Sequence, residues 1–333
     1  MRRSIRGWTR AGALWACAVG GVPTVGLANP LIHDYEAPVG FLRIGPESQR
    51  LIPRTERGFT LALPDDPAGT RGVVVFTQRG RVALEYPWAE GSLEAMATAR
   101  QLAVLHLSTG DPLDFYFGDV PHEVCLSIEA ALSANAVPTR RLFLAGLSLA
   151  GTRALRLAIH LREHPEAHDL NVAGVAVVDA PLDLARLWRA EVRARETRFH
   201  PGATDEGRWV TYLLETHLGG TPDTAAEAYA RASPYSHDLP GGGAAATLVP
   251  IPVRAYHEPD VNWWIENRRK DYYSMNSIDL AALINQLKIL GSERAELVTT
   301  STRGTRLTRE ETPHSWKIVD EAELLDWFVA QLP

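Results

Sequence analysis

The sequence predicts an α/β protein, a mostly parallel sheet covered on both faces by helices. Three observations carry that expectation. Short apolar runs of strand length alternate along the chain with longer helical stretches. The runs GVVVFT (72–77), RLFLAG (141–146) and NVAGVAVV (171–178) are largely apolar throughout rather than on alternate residues. Strands buried on both faces read this way. The apolar fraction is 45% and the charged fraction 22%, enough to build a real core from 333 residues.

Residues 1–28 do not read as fold. Arg2, Arg3, Arg6 and Arg10 make a basic start, an apolar stretch follows from Ala11 to Val25, and Gly26-Leu27-Ala28 offers small residues for cleavage. This is the pattern of an export signal, so residues 29–333 are expected as the mature domain, periplasmic or secreted. Removing residues 1–28 takes away four arginines and no carboxylate, moving the net charge from −6 to −10. An acidic surface is a poor partner for phosphates, so neither nucleic acid nor an anionic membrane is expected to bind. Only Cys125 of the two cysteines would remain, so no intramolecular disulfide is expected.

Taken in order, 58–64 reads as an early strand and 72–77 as a buried one. A helix over 92–101 leads to a strand over 102–107, and a helix over 123–134 leads to a central strand over 141–146. Residues 149–161 are rich in Ala and Leu and read as helix; 171–178 is the next strand, ended by the turn Asp179-Ala180-Pro181. Strands then pause. Residues of about 182–248 have helical spacing and close on Pro240-Gly241-Gly242-Gly243, which suggests a cap inserted over one end of the sheet. Strands resume at 253–256 and 295–298, and a last helix runs over 321–331.

The chemistry is expected at Gly146-Leu147-Ser148-Leu149-Ala150-Gly151. These residues fit a nucleophile elbow, with Ala150 where the last glycine usually stands. The six residues alone are a weak signal; their setting, directly after an apolar strand and opening a helix, makes it stronger. A serine hydroxyl needs a base to take its proton and a third group to orient that base. His314, between the last strand and the last helix, is the only one of eleven histidines at the expected place in the order. The acid is expected just after the strand at 253–257, where the chain reads Glu258-Pro259-Asp260. Asp260 is the better fit; Glu258 and Asp183 are the alternatives. The oxyanion hole would draw one N–H from Leu149 and a second from the loop after GVVVFT, at Gln78 or Arg79.

Through GLSLAG, EPD and PHSW in this order, the chain resembles the α/β-hydrolase superfamily over nearly all of its mature length. It is also similar to a narrower group of exported bacterial hydrolases through residues 258–268 (EPDVNWWIENR) and His314-Ser315-Trp316. The resemblance implies an eight-stranded sheet and hydrolysis of an ester, thioester or amide through an acyl-enzyme, with no cofactor. A carboxylesterase acting on a small ester is the leading expectation. A peptidase or amidase of the same fold, and a catalytically silent binding module, are the alternatives. Two further signals remain. His160-Leu161-Arg162-Glu163-His164 matches a zinc-peptidase spacing, but its place at an exposed helix end favours no metal. Trp263, Trp264, Tyr272, Tyr273 and Trp316 could line a pocket or pack beneath the cap.

Overall fold

The computed structural model describes residues 30–46, 50–304 and 312–333, so the expected export signal lies outside the described residues. The chain opens with three short strands, β1 (Leu31–Glu36), β2 (Phe41–Arg43) and β3 (Leu51–Pro53). There follow β4 (Arg57–Ala62), β5 (Gly72–Thr77), α1 (Leu93–Ala99), β6 (Leu102–Thr109), α2 (Val120–Ala134), β7 (Arg141–Leu147), α3 (Leu149–Glu163) and β8 (Asn171–Val178). Helices α4 (Leu184–Thr197), α5 (Pro201–Leu218) and α6 (Ala226–Ala232) come before β9 (Val253–His257). The chain ends through α7 (Val261–Arg268), α8 (Ser277–Ile289), β10 (Ala295–Thr299) and α9 (Glu321–Ala330).

Among the described residues, eight strands form one sheet in the order β1-β4-β6-β5-β7-β8-β9-β10, while β2 and β3 pair separately. The pairs β1–β4 and β4–β6 are antiparallel; from β6 to β10 every neighbour is parallel. The parallel strands are buried on both faces, which is why their sequences are apolar throughout. Alternate residues serve two cores. Val73, Val75, Leu142, Leu144, Val175 and Val177 pack with Ile128, Leu155 and Leu283 of α2, α3 and α8. Val74, Phe76, Phe143, Ala145, Ala176 and Val178 pack with Leu93, Leu325 and Phe328 of α1 and α9. Cys125 is fully buried in the first of these cores, and burial pushes its thiol up to about 12, so it stays protonated at neutral pH.

The strand order places a crossing point in the winding beside β5. The chain leaves β5 for β6 on one side and then returns to β7 on the other. In such sheets the crevice outside the carboxyl ends of the strands at this point is where ligands bind. The loop after β5 and the turn after β7 both open there.

Helices α4 to α6 occupy the segment between β8 and β9. They have a small core of their own, in which Leu184, Leu187, Val210, Leu214 and Tyr229 pack against Phe115 and Leu149. A buried ion pair ties this segment to α8. Arg186 grips Asp279 with Nε at 2.6 Å from Oδ1 and Nη2 at 2.8 Å from Oδ2. Asp279 also accepts the backbone N–H groups of Leu182 and Asp183, and pairs with His237. Burial alone would raise the Asp279 carboxyl, but Arg186 and these donors hold it below the usual carboxylate range. Removing the carboxylate would leave the Arg186 guanidinium buried and uncompensated. Asp279→Ala is therefore expected to destabilise the fold by about 3–5 kcal/mol in urea denaturation. In the wild type this contribution is present above the ordinary carboxylate pKa and is lost as pH falls below it.

Candidate active site

Ser148 sits where β7 turns into α3, with φ 57° and ψ −129°. A non-glycine residue rarely holds a positive φ, and such positions cluster at functional sites. The turn is held from both sides. The Ser148 N–H donates to the Val178 carbonyl at 2.8 Å, and the Ser148 carbonyl accepts from Gly151 and Thr152. The small residues around it are required by space. A Cβ on Gly146 would stand 2.3 Å from the Ala150 carbonyl carbon, and one on Gly151 would stand 2.7 Å from Ala180 Cβ. The sharp turn presses α3 onto the end of β8 and leaves the serine half-exposed.

Across the sheet, Leu147 pairs with Val178, so Ser148 and Asp179 follow one another's strands at the same level. Asp179 also has a positive φ, 38°, and is 4% exposed. Its N–H donates to the Tyr256 carbonyl and its carbonyl accepts from Asn276 Nδ2 at 2.9 Å. Its carboxylate accepts from His314 Nδ1 at 2.6 Å. The same loop packs Trp316 against Phe76 of β5, with ring centroids 5.4 Å apart. His314 and Trp316 thus lie at the ends of β8 and β5, the two strands that flank β7, which leads into Ser148. Burial lowers the His314 imidazole, but the charge and hydrogen bond of Asp179 outweigh it, and its pKa lies above the ordinary 6.5.

The carboxylate that His314 meets is therefore Asp179, not the expected Asp260. Asp260 is exposed and caps α7, its Oδ1 accepting the Trp263 N–H at 3.0 Å. An aspartate just before a helix is captured by the free N–H groups there. Glu258 is buried and braces a loop instead, accepting from Arg303 N at 2.9 Å, Gly304 N at 3.1 Å and Thr300 Oγ1 at 3.0 Å. Asp183 caps α4 through Arg186 N. The signal that was legible is the first residue after the strand following Ser148. Asp179 opens a turn there, and a turn is all that Asp-Ala-Pro suggested.

Gln78 also departs from expectation as an oxyanion donor. Its N–H is committed to the Leu107 carbonyl at 2.7 Å, which continues the β5–β6 pairing, and its side chain contacts His106 Nδ1 at 3.0 Å. Arg79, one residue further, is the next N–H at this edge, and its carbonyl accepts from Thr55 Oγ1. Leu149 begins α3, so its N–H has no acceptor within the helix. Trp264 stands edge-on to His314 with ring centroids 6.4 Å apart, and Trp263 packs on Trp264. Tyr272 and Tyr273 are exposed, and Trp316 donates Nε1 to Glu321.

If Asp179 is the partner of His314, the imidazole should titrate above 6.5 in NMR, fall in Asp179→Asn, and stay unchanged in Asp260→Asn.

The sequence matches no protein-family model and no curated protein. Among solved structures the chain is similar to three in particular. An acylaminoacyl peptidase from Pyrococcus horikoshii superposes with TM-score 0.52 at 13% identity, over 90% of this chain and 42% of that one. This chain thus spans less than half of that peptidase. A fungal esterase from Rhizomucor miehei superposes with TM-score 0.50 at 13% identity, over 90% and 84%. Carboxyl esterase 2 from Tuber melanosporum gives TM-score 0.50 at 13% identity, over 93% and 89%. With its mostly parallel eight-stranded sheet and flanking helices, this chain has the α/β-hydrolase fold.

Proposed function

We propose that this protein is a serine hydrolase that cleaves a carboxylic ester through an acyl-enzyme on Ser148. The observation that carries the reading is the pairing of two strained residues at neighbouring strand ends, Ser148 and the His314-bound Asp179. Asp179 holds the His314 Nδ1 proton, which leaves Nε2 with a lone pair to take the proton from Ser148 Oγ. The serine oxygen attacks the substrate carbonyl, and the carbonyl π electrons move onto its oxygen. The Leu149 N–H, reinforced by the positive end of α3, and the Arg79 N–H receive that charge. His314 then protonates the leaving alkoxide as the carbon–oxygen bond breaks. Water, deprotonated by the same imidazole, attacks the acyl-enzyme and releases the acid and Ser148.

In this reading the helical segment 182–248 is the cap on the crevice, supported by its packing against Leu149. Export through residues 1–28 belongs to the same proposal, supported by the basic start, apolar stretch and small residues of that segment.

A fluorophosphonate probe should label the wild type and not Ser148→Ala; equal labelling of both would overturn the nucleophile. With nitrophenyl esters and aminoacyl anilides side by side, ester turnover should dominate, and an anilide preference would favour a peptidase. Because His314 must be neutral to act, kcat/KM should fall as pH drops through a value above 6.5. Asp179→Asn should reduce kcat by about 10⁴-fold, while Asp260→Asn should change it little.

A further inference from the structure

We propose that His122, His160 and His168 form a binding site for a divalent transition-metal ion of the zinc type, separate from the Ser148 site. The three come from different elements: the first turn of α2, the last turn of α3, and the loop that leads into β8. One ring nitrogen of each meets the others within 4.8 Å. His122 Nδ1 is 2.9 Å from His168 Nε2, and His160 Nε2 is 3.3 Å from the same atom. Two nitrogens bound to a tetrahedral zinc at about 2.0–2.1 Å stand roughly 3.4 Å apart, close to the 2.9 and 3.3 Å pairs, and ring rotation would have to close the third pair, within 4.8 Å, by up to about 1.4 Å.

The surroundings match a metal site better than a hydrogen-bonded trio. His168 has a fully buried side chain, and its Nδ1 has no hydrogen-bond partner within normal reach. Glu129 Oε2 stands 3.5 Å from that nitrogen. The carboxylate is itself held by the Asp169 N–H at 2.6 Å. A carboxylate behind the far nitrogen of a ligating imidazole fixes its tautomer and aims its lone pair at the metal. Three protein nitrogens leave one tetrahedral position open to water.

The pairing differs from the one the H-x-x-E-H spacing suggests. His164 is exposed, and it is His122 and His168, not His164, that close on His160. His160 lies more than three helical turns from Ser148, roughly 18 Å at 1.5 Å per residue. A metal here clamps α2, α3 and the β8 approach together, and binding to the folded state alone raises stability.

The test uses untagged protein dialysed against zinc, and then cobalt, with metal counted by mass spectrometry. One equivalent of zinc per chain and the visible absorption of tetrahedral cobalt are expected, with a zinc-dependent rise in Tm. Glu129→Gln should weaken binding roughly 10- to 100-fold. His168→Gln and the more accessible His160→Gln should abolish the cobalt band, and His164→Gln should leave it unchanged. Circular dichroism checks that each variant is folded. A folded wild type that takes up well under one equivalent would overturn the proposal. So would binding that survives both His160→Gln and His168→Gln, or that is lost with His164→Gln alone.

Discussion

The structure of the site depends on one tight turn. Ser148 can hold its positive-φ conformation only because the chain around it leaves no side chains in the way, at Gly146 and at Gly151. That close approach seats α3 against Ala180 and fixes the distance between the ends of β7 and β8. It also aims the first N–H groups of α3 at the space above the sheet. A strained residue persists when its neighbours over-determine it. Here the Val178 carbonyl and the Gly151 and Thr152 N–H groups do so.

Asp179 is held by a second arrangement, and it reaches well beyond the crevice. Asn276 binds its carbonyl, Arg186 Nη2 lies 3.4 Å from Asn276 Oδ1, and Arg186 is locked to Asp279. Helices α4 and α8 therefore meet behind Asp179. On the other side, Glu258 ties down residues 300–304, and Gly304 lies against the Thr312 carbonyl at the approach to His314. His257 is close by, but the imidazole bound to Asp179 is that of His314. Burial lowers the pKa of His257, and its Nε2 pairs with Thr299 Oγ1 at 2.7 Å. Glu258, one of the alternatives expected for the acid, thus helps to hold the loop on the approach to His314.

The central strands were legible because a parallel strand buried on both faces must be apolar along its length. The edge was not. Leu31–Glu36 (LIHDYE) is half-exposed and carries no run that distinguishes it, so its pairing with β4 emerges only in three dimensions. Helix α8 is not among the helices expected, although Leu280, Leu283, Ile284 and Leu287 recur at helical spacing and are all buried. Asp260 shows the opposite failure. Its place in the order was suitable, but a carboxylate beside a helix start finds local N–H partners before any distant imidazole.

By itself the sequence determined the strand–turn–helix around Ser148, because small residues and an apolar strand are local requirements. It also determined His314 as the histidine at the right place in the order. Which carboxylate meets that histidine, and which N–H after β5 stays uncommitted, was decided by sheet register. Val178 pairs with Leu147, and the pairing of Thr77 with Leu107 leads the Gln78 N–H onto the Leu107 carbonyl. The three-histidine cluster is likewise a product of packing. Spacing along one helix links His160 to His164, whereas the fold brings His122 and His168 to it from other elements, since contacts between elements follow from how they pack and not from their separation in the chain.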